Sequence, residues 1–237
     1  MADRFFVDSP ISGDHAELTG PEAHHAMHVM RLGEGDSITL FDGSGLEFEA
    51  RVESANRRSV NLAIVDRRPV NRELPFQLTL AVALPKGDRQ KWLVEKATEL
   101  GVTRLVPLVT TRSVAQPSSS ALKRLERAVI EASKQCGRNV LMKIDAPENW
   151  SSFVVNSDQG EHRWIADPAE DSLSLGEAVQ TRGATEDLVV AIGPEGGFDE
   201  SETQAASEAG WKPISLGSRI LRIETAALAI AAAVQSG

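Results

Sequence analysis

The chain has one cysteine, Cys136, in 237 residues, so no internal disulfide can form, and a reducing compartment suits it. It also lacks a long apolar run. The longest stretch of small apolar residues, Ala226–Val234, is far shorter than the roughly 20 residues that cross a bilayer, and its alanine content marks a buried helix. The opening Met-Ala-Asp-Arg-Phe-Phe has none of the basic-then-apolar architecture of a signal peptide. The expectation is a soluble, cytoplasmic protein with no membrane partner. Metal-binding patterns are missing too. His24 and His28 are spaced i, i+4, but apart from His25 no other histidine and no cysteine lies near them, so no metal is expected. Trp92, Trp150, Trp164 and Trp211 are dispersed. They read as core or interface residues, not as a base-stacking platform. There is no internal repeat and no long low-complexity segment.

Two glycine-punctuated loops near the C-terminus are the most informative features: Ile192–Phe198 (IGPEGGF) and Leu216–Ala226 (LGSRILRIETA). Each follows a short apolar run and leads into a helix-like segment. Leu188–Ile192 reads as a buried strand ended by a Gly-Pro turn. Asp199 then stands as an N-cap, with Glu202 three residues on completing a capping-box pair. Gly193, Gly196 and Gly197 allow close approach of backbone N–H groups. A strand, a glycine turn and a helix N-terminus is where open α/β sheets place ligands. The loop is not a phosphate-binding P-loop, because it has no Gly-Lys-Ser/Thr ending and its one charged side chain is the acidic Glu195.

The net charge is −9, which on the whole-molecule scale repels phosphate. Its distribution is uneven. Residues 1–68 hold 7 Lys/Arg against 12 Asp/Glu, residues 144–237 hold 5 against 16, and residues 86–143 hold 12 against 5. Within that basic block, Ser120–Arg138 reads as an amphipathic helix with Leu122, Leu125, Val129 and Cys136 on its apolar side. Cys136 is therefore a small hydrophobe, not a nucleophile. Lys123, Arg127, Lys134 and Arg138 fall within roughly 60° of one another at about 100° per residue. Two readings stand: a solvated helix face, or a stripe that contacts phosphates.

The chain divides near residues 68–76, where Arg67–Pro75 is charged and carries two prolines. Upstream, strand-like runs at Arg4–Val7, Ser37–Phe41, Glu47–Ser54 and Ser59–Val65, a hairpin turn at Asp42–Gly45 and a short helix at Glu22–Arg31 suggest a small barrel over residues 1–70. Downstream, over residues 76–237, strands (Gln77–Leu84, Leu105–Val109, Arg163–Ala166, Leu188–Ile192, Pro213–Leu216) alternate with helices (Arg89–Leu100, Ser120–Arg138, Leu173–Thr181, Asp199–Ala209, Glu224–Gln235). That alternation predicts a mostly parallel α/β sheet.

The two C-terminal motifs, at this separation, resemble the SPOUT superfamily of S-adenosylmethionine-dependent RNA methyltransferases. Within it the chain is similar to the 16S ribosomal RNA uracil-N3 methyltransferase family. The resemblance runs nearly end to end, through Arg4–Phe6 (RFF), His24–Asp36 (HHAMHVMRLGEGD), Leu84–Val102 (LPKGDRQKWLVEKATELGV), Thr110–Val114 (TTRSV) and Glu131–Arg138 (EASKQCGR). Ile223 stands where that family usually has Thr, and Met142 stands near an expected Pro.

The resemblance implies a PUA-like RNA-binding barrel, a C-terminal trefoil knot, a homodimer, S-adenosyl-L-methionine as cofactor, and 16S rRNA or the small ribosomal subunit as partner. The family's target is uridine 1498 in the decoding region. Cofactor contacts are expected from Ile192, Gly193, Pro194, Glu195, Gly196, Gly197, Leu216, Gly217, Ile220 and Leu221. RNA contacts are expected among Arg4, His25, Arg31, Lys86, Arg89, Lys123, Arg127, Lys134 and Arg138.

S-adenosylmethionine already carries an activated methyl group, so neither a metal nor an enzyme nucleophile is needed. The uracil N3 proton must leave, and a cation near the uracil carbonyls would stabilise the developing charge. Arg222, Glu224 and Glu195 are the ionisable candidates within the two motifs, with Glu224 serving either in catalysis or as a helix-start carboxylate. Besides uracil-N3 methylation, the alternatives are a SPOUT enzyme with another RNA target, such as a ribose 2′-hydroxyl, and a non-catalytic RNA-binding assembly factor. A degraded glycine loop or a lost Arg222 would signal the last, and neither is seen.

Overall fold

The computed structural model describes residues 3–56, 58–113, 117–157, 162–169 and 171–235. The chain forms two compact units, Met1–Glu73 with Ser133–Leu141, and Leu74–Ala132 with Met142–Gly237.

In the first unit, β1 (Arg4–Phe6), β2 (His15–Thr19), β3 (Ser37–Phe41), β4 (Leu46–Ala55) and β5 (Ser59–Pro69) form one curled sheet in the order β1-β3-β4-β5-β2. The β1–β3 pair is parallel and the others are antiparallel. The ladder stays open between β1 and β2, so the sheet is a half-barrel. Alternating residues of β4 point inward, and Phe48, Ala50 and Val52 join Phe5, Leu18, Ile38, Leu40, Val60 and Leu62 in its core. The sequence pattern missed β2 because four of its five residues are not buried, so it has no apolar alternation to read.

The helix expected over Glu22–Arg31 is two pieces, α1 (Gly20–His24) and a π-helical turn (His25–Val29), and it ends where Arg31 takes a φ of +57°. Nor does the charged stretch after residue 66 begin a linker. β5 runs on through Pro69 because Arg68 is the cross-strand partner of Glu47 and the two side chains form an ion pair at 2.8 Å.

The second unit alternates strand and helix: β6 (Leu78–Val82), α2 (Arg89–Glu99), β7 (Arg104–Val109), α3 (Ser119–Cys136, whose last turn is grouped with the first unit), β8 (Lys143–Ile144), β9 (Glu148–Asn149), α4 (Trp150–Asn156), β10 (His162–Ala166), β11 (Leu173–Ser174), α5 (Leu175–Thr181), β12 (Leu188–Ile192), α6 (Glu200–Glu208), β13 (Lys212–Ser215) and α7 (Ile223–Gln235). The sheet runs β11-β13-β10-β12-β6-β7-β8, and every pairing in it is parallel. All five residues of β6 and of β12 are buried, as strands covered on both faces require. On one face Trp150, Phe153, Trp211, Val189 and Ile165 share a core. α7 packs against α2, α5, β6 and β12, so its alanine-rich face is largely internal.

Two local departures have clear causes. Leu173–Ser174 pairs with β13 instead of opening a helix, and Ser174 then caps α5 through a reciprocal capping box with Glu177. α3 stops at Cys136 because Gly137 adopts a φ of +84°, a conformation open to glycine. Arg138 therefore lies beyond the helix and cannot extend the stripe on its surface.

Candidate active site

The register of the parallel sheet builds the site. Ala166 of β10 is level with Ile192 of β12 and with Ile214 of β13. The chain leaves β12, forms the glycine loop and α6, and re-enters the sheet as β13 on the far side of β10. The carboxyl ends of these three strands frame a cavity of about 530 Å³, within the range of small-molecule sites. Ala166, Ile192 and Ile214 line it, together with both glycine-punctuated loops.

All ten residues expected to contact a cofactor, Ile192 to Gly197 with Leu216, Gly217, Ile220 and Leu221, line this one cavity. The walls are largely aliphatic, and Ile220 at the rim is 99 % exposed. Ile223, the residue that replaces the family's usual Thr, is buried and also lines the cavity.

The glycine loop is held from several sides. The Gly197 amide donates to the Pro194 carbonyl at 2.9 Å, closing a turn in which Gly197 has a φ of +69°. At Gly193 a Cβ would come within 3.0 Å of the Phe198 ring, so this glycine makes room for the loop's own aromatic. Phe198 in turn packs on Trp150 with ring centroids 4.8 Å apart. Asp199 and Glu202 form the capping box expected from the sequence, at 2.8 and 2.9 Å. The second Glu202 oxygen accepts from the Thr111 amide at 2.8 Å.

Arg112 was not anticipated as a site residue, although it sits in the TTRSV motif; Val114 of that motif lies outside the described residues. Its Nη1 donates to the Gly196 carbonyl at 2.7 Å and to the Phe198 carbonyl at 3.3 Å, clamping the loop. Asp167 was also missed. It follows the carboxyl end of β10 and lines the cavity, a position that the strand-end rule for α/β sheets picks out. Burial and the neighbouring Asp171 carboxylate raise its carboxyl above the ordinary value.

The three ionisable candidates have different environments. Arg222 is exposed, and among the described residues its side chain has no ion-pair partner. Glu195 lines the cavity with half of its side chain exposed. Glu224, in the first turn of α7, is buried behind the cavity wall with 6 % of its side chain exposed. Arg89 lies between the two carboxylates, 3.3 Å from Glu195 and 3.5 Å from Glu224.

The basic residues expected at RNA divide just as sharply. Lys123, Arg127, Lys86 and Arg31 are exposed. In the first unit, Arg4 pairs with Glu47 at 2.6 Å, donates to Asn139 at 2.7 Å and stacks over Phe41. Lys134 pairs with Glu22 at 2.9 Å, and Arg138, 3 % exposed, pairs with Glu73. His25 is half-buried against Phe5. These four serve the packing of the unit itself. Among the described residues no three His, Cys, Asp or Glu side chains gather as a metal site, and no helix is long and apolar enough to cross a membrane.

Residues 72–235 match the RNA methyltransferase domain family, and residues 18–65 match the RNA methyltransferase PUA domain family. The chain is 34 % identical over 210 residues to the ribosomal RNA small subunit methyltransferase E of Synechocystis sp., covering 88 % of this chain and 69 % of that protein. It is 32 % identical over 221 residues to the Bacillus subtilis protein of the same name, covering 89 % and 86 %. Among solved structures, a methyltransferase from Legionella pneumophila in complex with bound S-adenosylmethionine superposes with a TM-score of 0.91 at 31 % identity, covering 100 % of this chain and 98 % of that one. The ribosomal RNA small subunit methyltransferase E of Neisseria gonorrhoeae, bound to S-adenosylmethionine, gives 0.90 at 29 % identity with the same coverage.

Proposed function

We propose, from the premise that the chain belongs to the ribosomal RNA small subunit methyltransferase E family, that it methylates N3 of a uridine in 16S rRNA, with uridine 1498 as the target. It is an RNA methyltransferase, and its cofactor is S-adenosylmethionine. The observation that carries the reading is the single cavity lined by both motif loops at the strand ends.

The cavity fits that cofactor chemically. Aliphatic side chains of Ile192, Ile214, Leu216 and Leu221 offer surface to an adenine ring, the glycine-loop backbone offers hydrogen-bonding groups, and the Asp167 and Glu195 carboxylates suit a cation. When bound, the cofactor supplies a methyl group activated on a sulfonium. The protein has to orient the acceptor and stabilise the charge that develops on it. Arg222, which has no ion pair among the described residues, suits the uracil carbonyls where that charge appears. Because N3 is hidden by pairing in a helix, the uracil must be extruded to react.

Residues 1–70 are assigned to an RNA-binding barrel, and residues 76–237 to the methyltransferase domain, which adds RNA contacts of its own. Lys123, Arg127, Lys86 and Arg31 contact phosphates, since their charges are exposed. The homodimer and trefoil knot implied by the resemblance, and a cytoplasmic location, belong to the same reading. The exposed Ile220 and Trp92 are apolar surface that a dimer interface would cover. Sedimentation of a fully active monomer at micromolar concentration would remove the dimer.

The decisive experiment incubates the protein with labelled S-adenosylmethionine and small-subunit RNA, then digests the RNA to nucleosides. N3-methyluridine is expected. Label in a 2′-O-methylated nucleoside would move the enzyme to another target class, and absence of label would favour a non-catalytic assembly factor.

A further inference from the structure

The Arg89 guanidinium joins two carboxylates of unequal accessibility. Its Nη2 donates to Glu195 Oε1 at 3.3 Å, and its Nη1 lies 3.5 Å from Glu224 Oε2. Glu224 Oε2 is sealed from solvent and makes no hydrogen bond. A buried carboxylate needs a partner, and the Arg89 guanidinium is the cation that faces it, at the N-terminus of α7. Glu195 is the opposite case. Half of its side chain is exposed, and it lines the cavity.

Arg89 does not hold the loop backbone. That task falls to Arg112, the Gly197 turn and the Asp199–Glu202 capping box. What Arg89 fixes is the direction of one side chain, with its other edge anchored on a buried charge.

We propose, resting on the uracil-N3 reading above, that Arg89 is a positioning residue that sets Glu195 as acceptor of the N3 proton, with Glu224 as its buried anchor. The N3 electron pair forms the new bond to the methyl carbon, and the electron pair of the breaking carbon–sulfur bond remains on sulfur, giving a neutral thioether. The N3 proton passes to Glu195, whose carboxylate becomes a neutral acid. As the proton leaves, negative charge builds on N3 and the two uracil carbonyls, where Arg222 stabilises it, so a carboxylate is base enough when the new bond forms in the same step. Glu224, buried and outside the cavity lining, does not reach the acceptor.

The test compares Arg89→Gln, Glu195→Gln and the double variant, with calorimetry for S-adenosylmethionine affinity and steady-state kinetics at varied RNA. Glu195→Gln should lower kcat by about 10²-fold, the scale of a general base. Arg89→Gln should lower kcat by roughly tenfold or more, with cofactor affinity and the KM for RNA within about threefold of the parent, because only transition-state contact is lost. In the Glu195→Gln background, Arg89→Gln should have almost no further effect, the signature of a residue acting through another. If Arg89→Gln does not fold, as judged by thermal melting, Arg89→Lys keeps the charge but gives up the two-edged bridge, and the same non-additivity is expected of it. A raised KM for RNA with unchanged kcat would make Arg89 an RNA contact and overturn the proposal. So would multiplicative effects in the double variant, or loss of cofactor affinity. Failure of the parent protein to form N3-methyluridine would instead remove the reading on which the proposal rests.

Discussion

The basic residues of the first unit and those around the cavity of the second have parted ways. In the first unit, Arg4, Lys134 and Arg138 each face a carboxylate (Glu47, Glu22 and Glu73) and are largely withdrawn from solvent. Near the cavity, Arg222 is exposed and has no ion pair among the described residues, Arg112 is committed to backbone carbonyls, and Arg89 is shared between two acids. Residue type does not separate these roles. The partner that the fold brings within reach does, because a paired, desolvated guanidinium stabilises structure whereas an unpaired one remains available to a ligand.

Mutation can break that contrast, most strongly at Arg222. Arg222→Ala should cut methyl transfer by about 10²–10³-fold, as loss of a charge-stabilising donor does, while calorimetry shows cofactor affinity nearly unchanged. Near-normal turnover with saturating RNA and cofactor would place the catalytic cation elsewhere.

Arg4→Ala should act on stability instead. It removes an ion pair, a hydrogen bond to Asn139 and a cation–π contact, and urea denaturation should register a loss of about 2–3 kcal/mol. Arg68 still neutralises Glu47 at 2.8 Å, which keeps the loss below that of a fully orphaned charge. A parental midpoint together with a weakened RNA complex would return Arg4 to the RNA-contacting set.

The helix α3 sharpens the contrast within one element. Replacing exposed Lys123 and Arg127 by Ala should flatten the dependence of RNA affinity on salt, by up to about 2 in the log–log slope if both meet phosphates. Lys134→Ala should leave the slope alone and lower the melting temperature. An unaltered slope in the double variant would make Lys123 and Arg127 a solvated face.

The smallest effect is expected at Asp167. Its carboxyl is raised above 3.8 by burial and by Asp171, so folding disfavours its charged form. The group supports the fold below its unfolded pKa, and that support is lost as pH rises through the folded value. Asp167→Asn, without cofactor, should therefore raise the melting temperature at pH 7 by roughly 1–2 °C, and the difference should vanish near pH 3. A difference of the same size at both pH values would show that packing, not charge, is responsible.

Much of the second unit was legible in the sequence. A run such as Leu188–Ile192, apolar at every position and closed by Gly-Pro, has few alternatives to a strand buried on both faces, and all five residues are buried. Asp199 and Glu202 announced their helix start by spacing alone. Elements without such local signals were not seen. The edge strand β2 is mostly unburied, and β11 consists of two residues that exist only because β13 lies beside them. The charge stripe on α3 was legible as a period, yet Gly137 ended the helix before Arg138, and Glu22 took Lys134.

The division follows from range. Periodicity, turn chemistry and capping act within a few residues, so the sequence by itself determined most of the alternating strands and helices, the two glycine loops and the ten loop residues that come to line the cavity. Only the tertiary structure decided that Ala166, Ile192 and Ile214 share a level, that Arg112 clamps a loop 84 residues away, and that Arg89 meets Glu195 across 106 residues. Ion pairs and strand register depend on separations in space that no local pattern encodes. For that reason the chemistry of each charged side chain could be read only after the chain had closed around it.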